Sequence, residues 1–290
     1  MYKHNICFAA RLCIAFLVAV SLFGYAAAGA ETGQNADDTI TIEYIAICVD
    51  GKPINRGIKI GDVTYVGLRN FSESVRPGAV ISWDAATETA SVKVPGLTVS
   101  AGKGKQYITA NDRCLFIPDG VMNIDGCVMV PIRELSRAFG AGIIWDAETK
   151  SIEVETKGAI PIEDADKFYD KEDMMWLARI INAESGNQSL MGKIAVGNVV
   201  VNRVNNPYCP DSIYLVIFDN KHGVQFQPTI TGAIYKEPNE ESLIAAKICL
   251  EGYNLVGDSL FFVNPDIGIT EWFAQTRTYV VTLGDHDFYA

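Results

Sequence analysis

The chain has 290 residues, 49% of them hydrophobic, and its 35 Asp and Glu residues outnumber its 24 Lys and Arg residues, so the formal net charge is −11. Because phosphate binding requires clustered Lys and Arg, this acidic balance argues against nucleic acid as a partner. The three histidines are too few for a zinc peptidase site.

The first 30 residues have the pattern of a targeting segment. Lys3 and Arg11 form a positive beginning, residues 12–25 form an apolar run, and the small residues at 26–30 offer A-x-A cleavage sites. The apolar run is too short for a comfortable transmembrane span. The sequence therefore predicts a signal peptide over residues 1–30 and an exported mature protein without a transmembrane helix. A retained N-terminal anchor is the alternative.

Five cysteines lie beyond that segment and show no C-x-x-C spacing: Cys48, Cys114, Cys127, Cys209 and Cys249. An odd number of cysteines without C-x-x-C spacing predicts neither a zinc site nor an obvious disulfide framework. Cys114 and Cys127 could bridge within one domain, and buried free thiols are the alternative.

The first half of the chain contains an internal repeat. Residues 65–94 align with residues 129–155, so that Arg69 matches Arg133 and Trp83 matches Trp145. Each copy predicts a short strand, a helical turn and a hairpin with alternating apolar and polar residues, and duplicated units usually pack against one another. We therefore expect a duplicated, β-rich domain over residues 40–156. The two tryptophans could be sugar-stacking platforms, but a tryptophan repeated in register is more often a core anchor, which is the interpretation we favour.

The motif V-P-I-R-E-L, followed by G-A-G-I-I-W-D, occupies residues 130–146. It resembles the copper amine oxidase N-terminal-like domain, which is appended to many exported bacterial enzymes. No histidine occurs between residues 31 and 221, so copper binding is not expected. The resemblance implies a role in attachment or spacing at the cell envelope. Residues 157–168 mix Pro, Gly and acids without a clear period, which predicts a linker.

The second half is organised around residues 177–203, which predict two helices joined by a tight polar turn. Leu177, Ala178, Ile181 and Glu184 share one face of the first helix, so a single carboxylate lies on an apolar stripe. A carboxyl group among apolar neighbours keeps its proton longer, as a general acid requires. The alternative is a Glu184 that reaches the surface or pairs with an arginine such as Arg179 or Arg203.

The ends of these helices and the elements after them are also predicted. Asp170 suits the N-cap of the first helix, and residues 185–187 suit its end, because Gly and Asn tolerate the left-handed conformation of a helix stop. The second helix is apolar nearly all round and hence central, and Gly192 and Gly197 would let the Glu184 helix pack closely against it. Residues 222–235 predict a small hairpin or lobe, residues 241–254 an amphipathic helix, and the last residues a closing hairpin.

Several ordered motifs of this half resemble the SleB/CwlJ-type cell wall hydrolases, which include the spore cortex-lytic enzymes. They are LARIINAESG, GNVVVNRV, SIYLVIF, GVQFQP, FFVNP, the W-F of EWFAQT, and GDHDF. The resemblance implies a mainly helical, lysozyme-like catalytic domain with a small β lobe over residues 169–290, and thus an α+β chain. It also implies a single catalytic glutamate, which maps onto Glu184, and a β-1,4 bond between N-acetylmuramic acid and N-acetylglucosamine as the target.

One carboxyl group can suffice if the sugar itself supplies the nucleophile. Most glycosidases use two carboxylates, and the acids in the loops after Glu184 show no spacing of a dedicated partner. Glu184 would protonate the leaving oxygen and then deprotonate the 6-hydroxyl of muramic acid, which closes an anhydro ring. The expected function is lytic transglycosylation of peptidoglycan glycan strands in spore cortex or cell wall, without a metal or cofactor. A non-catalytic peptidoglycan-binding envelope protein is the alternative.

The remaining site residues are predicted from their side-chain chemistry. The amides of Gln225 and Asn264 could bind N-acetyl and hydroxyl groups, Phe226 and Trp272 could stack on sugars, and His286 could bond to substrate or to Glu184. Each has a structural alternative, because aromatic residues mostly fill cores and Asn-Pro is ordinary turn chemistry.

Overall fold

The computed structural model describes residues 43–54, 57–221, 223–267 and 275–290. The predicted signal peptide over residues 1–30 lies outside the described residues. Within the described ranges, no helix combines the length and the apolar character that a membrane span needs. Strands dominate the first half and helices the second, which confirms the predicted mixed α and β content and the β-rich N-terminal half.

The N-terminal module, residues 43–155, is built from strands and two short helices. In chain order they are β1 (Glu43–Val49), β2 (Lys52–Pro53), β3 (Gly57–Ile60), β4 (Val63–Gly67), α1 (Leu68–Val75), β5 (Val80–Asp84), β6 (Thr89–Val94), β7 (Leu97–Gly102), β8 (Tyr107–Ala110), β9 (Arg113–Phe116), β10 (Met122–Ile124), β11 (Cys127–Pro131), α2 (Ile132–Phe139), β12 (Gly142–Asp146) and β13 (Ser151–Glu155).

These strands form two sheets around one core. One sheet has the order β10-β11-β4-β3-β1-β13-β12, with β2 beside β1. The other runs in chain order from β5 to β9. Helices α1 and α2 bury Phe71 and Phe139, whose rings meet edge to face with centroids 5.7 Å apart.

The two repeated segments fold in the same element order, β4-α1-β5-β6 and β11-α2-β12-β13. Trp83 lies on β5 and Trp145 on β12, each the edge strand of its sheet. Their side chains are 47% and 52% exposed, so the interpretation of both as core anchors is wrong. Both residues lie next to a hairpin turn at a sheet edge, where the core no longer reaches them.

The second half contains α3 (Ala165–Phe168), α4 (Lys171–Ser185), α5 (Leu190–Val204), α6 (Ile213–Ile217), α7 (Pro228–Thr231), α8 (Glu240–Leu250), β14 (Phe261–Val263), β15 (Tyr279–Leu283) and β16 (His286–Tyr289). The last three strands form a small sheet in the order β14-β16-β15. Of the two forms predicted for residues 222–235, the hairpin is wrong, because α7 and a 3₁₀ turn at Ala233–Tyr235 occupy about half of this segment. Pro228 is in the first turn of α7, where its missing N–H does no harm.

Helices α4 and α5 follow their predicted bounds closely. Asp170 caps α4 by accepting hydrogen bonds from the backbone N–H groups of Glu172 and Asp173, both at 2.9 Å. The helix ends at Ser185, but Gly186 has φ −57°, so the predicted left-handed stop is wrong. Helix α5 is buried nearly all round, as expected for a central helix.

Gly197 allows the central helices to pack closely, as predicted. A Cβ atom at this position would lie 2.7 Å from Cδ1 of Ile181 on α4 and 2.7 Å from Sγ of Cys249 on α8. Gly192 does not contribute to that contact, because its α-carbon faces the side chain of Gln188. Glycine at position 197 therefore lets α5 lie close both to α4, which carries Glu184, and to α8.

The two halves share a buried ion-pair cluster at Glu251, whose side chain is 0% exposed. Arg113 of β9 binds its two carboxylate oxygens at 2.8 Å each, and Arg137 of α2 binds at 2.5 Å. The Tyr169 hydroxyl donates a hydrogen bond to Oε1 of the same carboxylate at 2.5 Å. A carboxylate from the helical half thus anchors two arginines of the N-terminal module.

Apolar contacts strengthen this junction. Cys114 and Phe116 of β9 belong to the buried core of the helical half, and Phe116 meets Tyr253 edge to face at 5.8 Å. The segment predicted as a linker also contacts the module, since Asn111 donates to the backbone oxygen of Ile162 at 2.9 Å. Cys114 is buried and Cys127 is exposed, and the two do not form a bridge.

Candidate active site

Glu184 lies in the last turn of α4, one residue before the helix ends, and its side chain is partly buried. Burial raises the pKa of this carboxyl group to about 7, because desolvation disfavours the charged form. Among the described residues, no hydrogen bond or ion pair reaches the carboxyl group, and no other charge contributes to the shift. Glu184 therefore has the protonation behaviour of a general acid that works near neutral pH.

The two arginines considered as partners of Glu184 are engaged elsewhere. Arg179 pairs with Glu237 at 3.5 Å, and its guanidinium carbon lies 5.1 Å from the centre of the Trp176 ring. Arg203 donates to the backbone oxygen of Leu260 at 2.8 Å. Neither arginine pairs with the Glu184 carboxylate, so no positive charge lowers the pKa that burial raises.

The end of α4 is held by the beginning of α8. Asn182 accepts hydrogen bonds from the backbone N–H of Asn239 at 3.1 Å and from the Ser242 hydroxyl at 3.3 Å. The Asn239 amide in turn donates to the backbone oxygen of Gly186 at 3.1 Å. These contacts lie on both sides of Glu184 along the chain, and they hold its backbone in place.

The loop after Glu184 is joined to the terminal hairpin through Gln188, a residue that sequence reasoning missed. Its side-chain amide contacts Nδ1 of His286 at 2.9 Å and accepts from the backbone N–H of Asp285 at 3.3 Å. Gly284 makes this possible, because a Cβ atom there would lie 2.1 Å from Oε1 of Gln188. Gln188 and His286 are 98 positions apart in the chain, so no local pattern in the sequence predicts their contact.

His286 is buried between Gln188 and the small C-terminal sheet. It is 6% exposed, its ring packs edge-on against Phe262 at 5.0 Å, and burial lowers its pKa. The prediction that His286 reaches substrate or Glu184 is not supported by these contacts, which bind it to Gln188 and to the small sheet.

The other predicted binding residues differ in their exposure and in their hydrogen bonds. Phe226 is 2% exposed and packs into the core beside Phe262 and Arg203, so it has no face open to a sugar and that prediction is wrong. Gln225 is partly buried and donates to the backbone oxygen of Gly223 at 2.9 Å. Asn264 accepts from the backbone N–H of Asp266 at 2.9 Å, which is turn chemistry, while the side chain stays partly accessible. Trp272 lies outside the described residues.

An aromatic cluster on the outer side of α4 was not predicted as a unit. The Trp176 ring meets those of Tyr214, Phe218 and Tyr235 edge to face, with centroids 5.3, 5.4 and 6.2 Å apart. Tyr214 is 43% exposed and Tyr235 59% exposed. Trp176 lies eight residues before Glu184 on the same helix, about 12 Å along its axis. The cluster places exposed aromatic faces within the span of a few sugar units from the carboxyl group.

Two family models match separate parts of the chain. Residues 187–289 match the family described as Cell Wall Hydrolase, and residues 48–154 match the Copper amine oxidase N-terminal domain. Both resemblances predicted from the motifs are thereby confirmed. Glu184 lies three residues before the first matched range.

Curated relatives carry the name spore cortex-lytic enzyme. The one from Oceanobacillus iheyensis is 28% identical over 134 residues, which are 46% of this chain and 47% of that protein. The one from Bacillus cereus is 30% identical over 120 residues, which are 41% of this chain and 45% of that protein. The one from Bacillus subtilis is 28% identical over 41% of this chain and 38% of that protein. The chain thus spans less than half the length of these relatives.

A solved structure is also similar to part of the chain. The catalytic domain of the germination-specific lytic transglycosylase SleB from Bacillus anthracis is 30% identical, with a TM-score of 0.38, over 42% of this chain and 97% of that one.

Proposed function

We propose that this protein is an exported peptidoglycan glycosidase that cleaves the bond between N-acetylmuramic acid and N-acetylglucosamine, with Glu184 as its single catalytic carboxyl group. The observation that carries the proposal is the partly buried Glu184 carboxyl with a pKa of about 7 and no partner among the described residues. Its position beside a segment that matches the Cell Wall Hydrolase family supports a glycan substrate. Relatives named spore cortex-lytic enzymes favour spore cortex or cell wall as the place of action.

The proposed reaction is lytic transglycosylation. Protonated Glu184 gives its proton to the glycosidic oxygen, the bond to C1 of the muramic residue breaks, and N-acetylglucosamine leaves with a new 4-hydroxyl. The Glu184 carboxylate then takes the proton of the muramic 6-hydroxyl, and that oxygen bonds to C1 to close a 1,6-anhydro ring. The proton returns to Glu184 and no water is consumed, so the two steps balance with one carboxyl group and require no cofactor.

A pKa near 7 suits a group that must both donate and accept a proton. A carboxyl group with this pKa can be protonated for the first step and ionised for the second at a small free-energy cost near neutral pH. We assign substrate contacts to the amides of Gln225 and Asn264 and to Trp272, with His286 acting through Gln188. Tyr214 and Tyr235, which pack around Trp176, add exposed aromatic faces that suit sugar rings.

The wider organisation belongs to the same proposal. A signal peptide over residues 1–30 would export the protein, a duplicated module over 40–156 would attach or space it at the envelope, and residues 157–168 would lead into the catalytic domain over 169–290. In that domain, α4, α5 and α8 would form the lysozyme-like core around Glu184.

Product analysis tests the proposal directly. Purified full-length protein is incubated with spore cortex and with vegetative sacculi, and the soluble muropeptides are identified by mass spectrometry. We expect 1,6-anhydromuramic ends, which are lighter than reducing ends by one water. Reducing ends would instead indicate a hydrolase with a second carboxylate, and binding without any cleavage would support the non-catalytic alternative.

Glu184→Gln tests the assigned residue. General acid–base assistance is worth about 10²–10⁴-fold, and the same group acts twice, so we expect a rate loss at or above the top of that range. Glu172→Gln is the matched control, because Glu172 is an exposed glutamate on the first turn of the same helix. A Glu184→Gln variant that keeps more than about a tenth of the wild-type rate would remove Glu184 from the mechanism.

A further inference from the structure

The repeated tryptophans of the N-terminal module stand in equivalent positions but in different surroundings. Trp83 and Trp145 occupy the same place in their hairpins, each one residue before the aspartate that begins the turn. Across the hairpin, Trp83 pairs with Ala90, whereas Trp145 pairs with Ile152. The residue opposite the tryptophan thus has a smaller side chain in the first copy than in the second.

A cavity of about 180 Å³ opens at this place. Trp83 and Ala90 line one side, and the beginning of α1 lines another with Arg69 and Asn70. Gly126, at the turn between β10 and β11, contributes bare backbone to the rim. The space is too small for a drug-sized molecule, for which pockets of about 300 Å³ or more are usual. It has the size for one ring-shaped unit of a larger ligand.

The polar groups of the cavity distinguish it from its counterpart in the second copy. Asn70 supplies an amide, and the corresponding residue of the second copy is Glu134. Arg69 adds a guanidinium group whose ion pair with Glu73 is exposed and 3.6 Å long, which makes that pair weak. An aromatic face with an amide and a guanidinium donor around it is a combination that binds sugar hydroxyl and acetamido groups.

We propose that the Trp83 cavity is a second glycan site, which binds one N-acetylated sugar unit of a peptidoglycan strand away from Glu184. The choice of ligand rests on the proposed function, because the same polymer would be the substrate of the helical half. The contacts at Glu251 join the two halves, so a cross-linked glycan network can engage both sites of one chain. Linked sites raise the effective affinity for a polymer without any new contact at the active site.

The test measures binding of the full-length chain to purified sacculi by sedimentation. All variants carry Glu184→Gln so that the polymer is not digested. Trp83→Ala is expected to weaken binding about tenfold, the upper range for the loss of one aromatic contact. Trp145→Ala is the matched control, since it removes an equally exposed tryptophan from the same hairpin position, and it should leave binding within about twofold. Asn70→Glu, which installs the residue of the second copy, should weaken binding as Trp83→Ala does and provides a second variant that keeps the hairpin intact.

Competition identifies the ligand. Peptide-free glycan strands should abolish the difference between parent and Trp83→Ala, and free stem peptides should not. Equal loss in Trp83→Ala and Trp145→Ala, competition by stem peptides alone, or a changed oligomeric state in place of changed glycan binding would overturn the proposal. Product analysis of the wild-type protein is independent of these outcomes. If the wild-type protein cleaves glycan strands but Trp83→Ala does not weaken binding, only the second site is refuted. If Trp83→Ala weakens binding but the wild-type protein does not cleave, only the proposed activity is refuted.

Discussion

Replacing Glu184 by glutamine should change the stability of the protein in a pH-dependent way that activity assays do not report. Burial raises the pKa of Glu184 from 4.5 to about 7, so the folded state holds this proton more tightly than the unfolded state does. The stabilisation from the protonated form is therefore complete below pH 4.5 and is lost as the pH rises through about 7. At about 1.4 kcal/mol per pKa unit, ionisation of the buried group lowers the free energy of unfolding by about 3 kcal/mol.

The amide of glutamine has no such penalty at high pH, because it stays neutral. At pH 8 we expect Glu184→Gln to be more stable than wild type by about 1–3 kcal/mol, the lower figure allowing for relaxation at the helix end. For a chain of this size that difference raises Tm by roughly 2–10 °C. At pH 4.5 both side chains are neutral, and the two melting curves should coincide within about 1 °C.

The measurement is a set of thermal melts of wild type, Glu184→Gln and the exposed control Glu172→Gln at pH 4.5, 6, 7 and 8. The difference between wild type and Glu184→Gln should grow along this series, and the control should show no such growth. A difference that is constant with pH, or a variant that is less stable at pH 8, would refute the reasoning, because it would mean that the Glu184 carboxylate has a stabilising partner.

Three further predictions address the packing that positions Glu184. Glu251→Ala should lower the free energy of unfolding by about 3–5 kcal/mol, measured by chemical denaturation, because it leaves Arg113 and Arg137 without their buried counter-charge; a loss below about 1 kcal/mol would deny the cluster a structural role. Gly197→Val should lower the free energy of unfolding by about 1–3 kcal/mol, since its Cβ would lie 2.7 Å from Sγ of Cys249. An unchanged free energy of unfolding would show that the helices can move apart without cost. A chain starting at Ala165 should melt at lower temperature than the full chain and bind hydrophobic dye, because it lacks the Phe116 side chain that fills the helical core; a Tm equal to that of the full chain would contradict the shared core.

The sequence by itself determined the elements whose physics is local. The bounds of α4, its Asp170 cap and the position of Glu184 near its end follow from helical spacing and capping preferences within a few residues. The close approach at Gly197 was predicted from a glycine on an apolar helix, whereas the same pattern at Gly192 gave a wrong prediction, because Gly192 faces the side chain of Gln188. Both family resemblances were predicted from motifs in the sequence, because recognising a motif requires only the order and spacing of its residues.

Only the tertiary structure decided which side chains are covered and which long-range pairs form. Phe226 and Trp83 are both aromatic residues in segments rich in apolar positions, yet one is buried in the helical core and the other stands at a sheet edge. Gln188 meets His286 and Glu251 meets Arg113 across 98 and 138 positions of the chain. Burial depends on what every other element leaves uncovered, and a pair of distant residues forms through the packing of whole elements, so neither is encoded in the spacing of a single segment.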